Sequence, residues 1–503
     1  MSAASTTHLE LRHGVYHDSV TLLQVSRDIT AIDGVDEAVV AMATELNLGI
    51  LADLGFGQHI DDATPNDLVV AVRAADDATV AAARAQIDAA LAATSTSSVG
   101  GDFSAPPPRT VGGAARSTDL DLALISVPGE HAYVEAMDAL RAGLHVMLFS
   151  DNVPVAQEIA LKAEGDRRGL LVMGPDCGTA IVGGVGLGFA NVVRPGPVGM
   201  VAASGTGAQQ VCCLLDAAGV GLRHVLGVGG RDLSAQIGGA STLTALRALD
   251  ADPRTELIVI VSKPPDPQVA ARVREAAAAC ATHVVLGFVG RGERDLTAVA
   301  DEVAAYAGHA VDAHLRWDPA DPPAPAHGDV RGLFSGGTLC DEAMVIAAEA
   351  LGPVRSNIPL EPDWALPDGD DADGHVMIDL GEDDMTRGRP HPMIDHGLRI
   401  ARMERTAQRP GSHTLLLDVV LGHGADADPA GALAPALAAA RRTADDRGDR
   451  LAVVVSLCGT GDDPQGLDRQ AKALTDAGAI VCLSNAEAAR EAVRLVSAVE
   501  GSA

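Results

Sequence analysis

The sequence predicts an α/β protein: a small N-terminal α/β unit, a nucleotide-binding-like doubly wound domain, and two further parallel-sheet domains. Three observations predict it. From Asp119 onward, short apolar runs alternate strictly with amphipathic segments, as strands and covering helices do. The chain is 47% hydrophobic but only 2% aromatic, so its cores are built from Ala, Val, Leu and Ile, the composition of buried parallel strands under Ala-rich helices. The last two tracts repeat one another loop for loop, which predicts an internal duplication.

A chain of 503 residues has room for about three or four domains, each with its own core. A formal charge of −31 and the lack of a basic cluster argue against a nucleic-acid partner, because nothing neutralises phosphates along a surface. The seven cysteines (Cys177, Cys212, Cys213, Cys280, Cys340, Cys458 and Cys482) show no metal-ligand spacing, so reduced thiols in a cytoplasm are expected. MSAASTTHLELRHG lacks a basic start followed by an apolar core, so no signal peptide is expected. No uncharged apolar run reaches the ~18 residues of a membrane span.

In order, residues 1–95 alternate strand-like and amphipathic segments, as a ferredoxin-like unit or a degenerate nucleotide-binding half would. A Ser/Gly/Pro-rich linker covers 96–118. Residues 119–195 read as βαβαβ with short buried strands, the Rossmann-like domain. The loop after its first strand is Val127-Pro128-Gly129-Glu130, without the dinucleotide glycine fingerprint, so no NAD site is predicted. The first repeat occupies 196–312, a linker 313–329, and the second repeat 330–503.

Each repeat carries a small-residue turn after its first strand: Ser204-Gly205-Thr206-Gly207 in one, Ser335-Gly336-Gly337-Thr338 in the other. Such a turn at a helix start aims N–H groups and hydroxyls at one anion, and the helix dipole favours negative charge there. Plain strand-to-helix punctuation is the competing reading. Gly229-Gly230-Arg231 follows the next strand and Lys263 the one after, all at carboxyl ends, where doubly wound sheets form their crevice. Arg231 suits a carboxylate in bidentate fashion, or else pairs with its neighbour Asp232.

The motifs GPDCGTAIVGGVGLGFANVV, ASGTG, GVGGRDLS, VSKPP, SGGTLCDEA, IDLGEDDMTRGRPHPMID and LLLDVVLGHGADADPAG, in this order, resemble the FdrA family over nearly the full chain. That family is similar to the α-type chain of succinyl-CoA synthetase and other acyl-CoA ligases. The resemblance implies flavodoxin-like, CoA-ligase-type domains in the two repeats. It further implies a subunit of an oxamate carbamoyltransferase that interconverts oxalurate plus phosphate with oxamate plus carbamoyl phosphate in purine and allantoin degradation, assembled with companion subunits and without a cofactor. Succinyl-CoA synthetase carries a phosphohistidine in a GHAG-type loop; here the corresponding loop reads Arg291-Gly292-Glu293-Arg294, without histidine.

Small anions such as carbamoyl phosphate and oxamate need charge neutralisation and alignment more than a covalent relay. Ser204 to Gly207 are the candidates for phosphate, Ser335 to Thr338 for a second anion, with Arg231 and Lys263 supplying positive charge. Arg387, Arg389 and His391 lie in a proline-stiffened loop able to close over an anion, with His391 as acid or hydrogen-bond donor. His423 is the other phosphohistidine candidate. Glu382, Asp383 and Asp384 read as a solvated acidic turn, so no metal site is predicted. Cys177 reads as a buried thiol. Two rivals remain: an acyl-CoA ligase subunit with CoA around Ser126 to Glu130, and a non-catalytic anion-binding scaffold.

Overall fold

The computed structural model describes residues 6–497 except 16, 18, 57–62, 97–107, 368–371 and 387–388. It divides into two units, one of residues 1–109 with Arg387–Pro390, the other of Thr110–Thr386 with His391–Ala503.

In the first unit, β1 (Thr6–Arg12), α1 (Ser19–Thr30), β2 (Val35–Met42), α2 (Glu45–Asp53), β3 (Leu68–Ala74) and α3 (Asp77–Thr96) follow one another. The sheet order is β1-β3-β2, and both neighbours run antiparallel to β3. Antiparallel pairing excludes the nucleotide-binding half, whose strands are parallel. The alternation of β3 explains its central place: Leu68, Val70 and Val72 enter a core with Leu22, Ile29 and Ile87, whereas Val69 and Ala71 enter the opposite one with Leu51 and Phe56.

The second unit begins with α4 (Val111–Ser117), β4 (Leu122–Ile125), α5 (Gly129–Arg141), β5 (His145–Leu148), α6 (Val155–Arg168) and β6 (Val172–Met173), a parallel sheet in the order β4-β5-β6. A hairpin of β7 (Thr179–Val182) and β8 (Val185–Gly188) comes next. It belongs to the following sheet rather than to this one, since β7 pairs antiparallel with β10. The 119–195 tract therefore lends two strands to its neighbour.

That neighbour contains β9 (Pro195–Ala203), α7 (Gly205–Ala217), β10 (Leu222–Gly227), α8 (Ala240–Ala251), β11 (Leu257–Ser262), α9 (Pro267–Ala279), β12 (His283–Phe288) and α10 (Leu296–Tyr306). Its strand order is β12-β11-β9-β10-β7-β8. The last sheet contains β13 (Arg316–Trp317), β14 (Asp329–Phe334), α11 (Gly337–Leu351), β15 (Val354–Arg355), β16 (His375–Asp379), α12 (Asp383–Thr386), α13 (Gly397–Gln408), β17 (His413–Val420), α14 (Pro429–Asp445), β18 (Leu451–Cys458), α15 (Leu467–Asp476), β19 (Ile480–Cys482) and α16 (Asn485–Ser497). Its order is β13-β19-β18-β17-β14-β16-β15. The 313–329 stretch is thus more than a linker: Arg316 and Trp317 pair antiparallel with Cys482 and Val481 and close the sheet edge.

Counted from β9 in one sheet, and from β14 in the other with the two-residue edge strand β15 set aside, both run second-first-third-fourth, the flavodoxin-like winding; β15 adds parallel to β16 at the outer edge. β9 and β14 are the matched central strands, and α7 and α11 leave their carboxyl ends. Among the described residues no helix is long and apolar enough to cross a membrane.

Candidate functional site

The two turns meet. Ser204 caps α7, its Oγ accepting from the Gly207 N–H at 2.9 Å, and the same hydroxyl donates to Thr338 Oγ1 at 2.7 Å. A Cβ built on Gly336 would stand 2.2 Å from Thr206 Oγ1, and one on Gly207 would stand 2.9 Å from Thr338 Cγ2. Glycine is required at both places because the opposite turn fills the space where a side chain would start. Ser204, Thr206, Ser335 and Thr338 are all buried.

The turns differ in what they hold. The N–H and hydroxyl of Ser335 donate to Asp418 Oδ1 at 2.7 and 2.9 Å, and the Gly336 N–H to Oδ2 at 3.1 Å. Asp418 is fully buried in β17 and ion-paired with Arg399 at 2.9 Å. Burial raises its carboxyl above the ordinary range against the pull of Arg399 and the donors of Ser335 and Gly336. The second turn thus holds the chain's own carboxylate, where its sequence predicts a site for a substrate anion. A second substrate anion on the Ser335 and Gly336 N–H groups would have to displace a buried, bonded carboxylate. In the first repeat the matching register falls to Ser262, paired with Ala203, whose hydroxyl turns back to the Lys263 carbonyl at 2.6 Å.

Lys263 leaves the end of β11 and enters an acidic neighbourhood. Its burial favours the neutral amine, but Asp379, Asp341, Asp176 and Glu382 outweigh that and hold the ammonium above its ordinary value. Asp379, the last residue of β16, is pushed up to about 7 by burial, with Glu382 and Asp418 adding to the rise and Lys263 and the Gly381 N–H opposing it. Asp341, in α11, is also pushed up to about 7 by burial, against Lys263. Lys263 Nζ and Asp379 Oδ2 flank Gly337: a Cβ there would lie 2.9 Å from the nitrogen and 2.7 Å from the oxygen. No ion pair closes between them, and among the described residues neither atom has a hydrogen-bond partner. Asp379 is otherwise tightly held, its main chain exchanging two hydrogen bonds with the Asn357 side chain at 2.8 and 2.9 Å and its Oδ1 accepting from Gly381 at 2.9 Å.

His391 joins this cluster. A Cβ on Gly381 would be 2.9 Å from its Nε2 and 3.2 Å from Asp379 Oδ1, and the ring packs on Phe189 at 5.7 Å. Burial, helped by the Arg399 charge, lowers the imidazole to about 4. Its Nδ1 accepts from the Met393 N–H at 3.2 Å, so the neutral ring carries its proton on Nε2. That corrects one expectation: near neutral pH His391 is a hydrogen-bond donor and has no imidazolium proton to give.

Other expectations are placed differently. Arg231 does not pair with Asp232. Its guanidinium reaches Glu158 at 3.0 Å and the Val153 carbonyl at 2.8 Å, because Asp232 is fully buried and taken up by Lys162, Ser241 and Thr242. Gly229 sits at φ +89°, where a Cβ would meet the Pro175 carbonyl at 2.3 Å, and a Cβ on Gly230 would lie 3.5 Å from Asp176 Oδ2. Arg387 lies outside the described residues, while Arg389 is exposed and groups with the N-terminal unit. His423 is exposed, bridged to Ala190 through its backbone. Cys177 is buried, its thiol pushed up to about 12 by desolvation. Among the described residues no group of His, Cys, Asp and Glu could hold a metal ion.

The sequence reading missed Asp379, Asp341 and Asp418 with its partner Arg399. A signal existed for the first and third: each puts an Asp within or at the end of an otherwise apolar strand, HVMID and LLLDVV, where a charge needs a partner.

Flavodoxin-like repeats that bring their two turns together define a CoA-ligase-type α/β protein, and residues 333–495 match the CoA-ligase family. Residues 3–106 match the family described as "AllF, heavy metal-associated domain". They contain no cysteine, so the thiolate donors that soft metals select are lacking there. The chain belongs to the family of the protein YahF of Escherichia coli K12, with which it shares 39% identity over 496 residues, 94% of this chain and 96% of that one. It is also similar to the succinate–CoA ligase [ADP-forming] subunit alpha 2 of Archaeoglobus fulgidus, at 27% identity over 255 residues, 49% of this chain and 76% of that one. A solved dinucleotide-forming acetyl-coenzyme A synthetase 1 of Ca. Korarchaeum cryptofilum, in complex with phosphate and ADP, covers 78% of this chain and 88% of that one at 16% identity. Its TM-score of 0.30 is too loose to equate residues.

Proposed function

We propose that this chain is the carbamoyl-transferring subunit of a CoA-ligase-like enzyme, interconverting oxalurate and phosphate with oxamate and carbamoyl phosphate together with companion subunits. The observation that carries the reading is the pair of groups flanking Gly337, Lys263 Nζ as a donor and Asp379 Oδ2 as an acceptor, without partners among the described residues. A substrate that satisfies both presents an N–H beside a carbonyl or anionic oxygen. The amides of oxamate, oxalurate and carbamoyl phosphate do so, whereas a simple carboxylate offers oxygens alone. The start of α7 offers a phosphate the Gly205 and Thr206 N–H groups and the helix dipole, the Gly207 N–H being held by Ser204 Oγ. The FdrA-like motifs favour the same reaction, and the loop Arg291 to Arg294 offers no histidine for a phosphorylated relay.

A second reading is favoured by a specific observation, the CoA-ligase match over residues 333–495: an acyl-CoA synthetase subunit acting on a carboxylic acid, CoA and a nucleotide.

The deciding experiment measures phosphate release and oxalurate formation from carbamoyl phosphate and oxamate, with the protein alone and co-purified with the products of its neighbouring genes. A parallel assay supplies CoA, ATP and succinate. Oxamate-dependent phosphate release supports the transferase; CoA-dependent ATP consumption without it replaces this reading with the ligase.

A further inference from the structure

Asp379 is a carboxylate with an unusual set of neighbours. One oxygen is fixed by the Gly381 N–H, the main chain is clamped by Asn357, and the second oxygen faces the flank of Gly337 opposite the Lys263 ammonium. The carboxylate is therefore oriented, but its Oδ2 is committed to nothing among the described residues. Gly337 and Gly381 stand on either side of it, and neither leaves room for a side chain. A small planar group is the shape that enters between backbone and cation.

The geometry points to Asp379 as the proton-exchanging catalytic residue of this site, taking the amide proton of oxamate as the carbamoyl group arrives and returning it in the reverse reaction. This rests on the carbamoyl-transfer reading. The oxamate nitrogen attacks the carbamoyl carbon and the new C–N bond forms. The C–O bond to phosphate breaks, and phosphate leaves with the electron pair. The amide proton passes to Asp379 Oδ2 and from there to the departing phosphate, which restores the carboxylate. Lys263 stabilises the negative charge that develops on the carbamoyl oxygen, and His391 Nε2–H is a second donor at the rim of the cluster. An amide nitrogen is a poor nucleophile until it sheds its proton, so an oriented base contributes where charge neutralisation alone does not.

The groups that face Asp379 set when it is ready. Lys263, the Gly381 N–H and Arg399 favour the ionised form, while burial, Glu382, Asp418 and Asp341 favour the protonated one; His391 is neutral. The balance lies at about 7, so both forms are present near neutral pH.

The test is a pH–rate profile of the co-purified complex in both directions for the wild type, Asp379→Asn and Asp379→Glu. For the wild type the oxalurate-forming rate rises with pH through about 7 and the reverse rate falls. Asp379→Asn lowers kcat by about 10²–10⁴-fold and flattens that limb, with KM for oxamate changed little; Asp379→Glu restores part of both. An Asp379→Asn enzyme that keeps the wild-type limb and kcat overturns the inference while the transferase stands. A wild-type complex with no carbamoyl transfer overturns the transferase reading itself. Should Asp379→Asn fail to fold, a Lys263→Met enzyme whose pH profile matches the wild type overturns the inference equally.

Discussion

The hydroxyl of Ser204 donates to Thr338 Oγ1 at 2.7 Å across 134 positions of sequence, and joins the two repeats at their matched turns. The contact is buried on both sides and completes a cap that Ser204 also provides to α7.

Removing it gives the first prediction. Ser204→Ala loses a helix cap and leaves the Thr338 hydroxyl without its partner, for a loss of about 1–3 kcal/mol. Thr338→Val loses less. Urea unfolding of both single variants and the double variant should give a coupling of at least about 0.5 kcal/mol. Additive effects would show that the two turns are energetically independent.

The buried pair Arg399–Asp418 sets the second. Asp418→Ala strips three donors of their acceptor and leaves Arg399 charged and buried, so a loss of about 3–5 kcal/mol is expected. Against a total of about 5–15 kcal/mol for a typical domain, the thermal midpoint should fall by many degrees or the protein should not accumulate. A midpoint within about 2 °C of wild type would contradict this account of the second turn.

The third concerns pH and stability. Asp379 stands at about 7 in the folded chain and near 3.9 unfolded, so between those values the folded state binds more protons than the unfolded one. Its contribution is therefore fully present below the unfolded value and is lost as pH rises toward 7, at up to about 1.4 kcal/mol per pH unit. His391, lowered to about 4, acts in the opposite sense and costs stability as pH falls from its unfolded value through 4. The clean measurement is the difference between Asp379→Asn and wild type: the variant's relative stability should climb from pH 4 to pH 7. A flat difference would place Asp379 in an ordinary carboxylate environment.

The fourth separates charge from shape at Lys263. Lys263→Met removes the donor that faces Asp379 Oδ2 across Gly337 and should lower kcat/KM for carbamoyl transfer by about 10²-fold or more. It should also raise Asp379 further, because Lys263 is what opposes its burial most. Difference infrared spectroscopy of the carboxyl stretch, titrated from pH 6 to pH 9, reads that rise directly.

How much was legible from the sequence depends on whether a feature is local. The strand-to-helix alternation and the two small-residue turns follow from apolar periodicity and from Gly, Ser and Thr at strand ends, visible within about ten residues, and the duplication from the recurrence of those local patterns in the same order. The flavodoxin-like character of the repeats followed from motifs in order. Tertiary structure decided what the turns do. Asp418 lies 83 positions from Ser335, and only the pairing of β14 with β17 brings its carboxylate into that turn. Lys263 and Asp379 belong to different repeats and meet at a glycine of α11. Arg231 chose Glu158 over its neighbour because burial had already assigned Asp232 to Lys162. A sequence specifies which groups are charged and where the chain turns. Which charge faces which, and which is left without a partner, is settled by contacts between distant elements, and in a buried site those contacts set both the proton affinities and the chemistry.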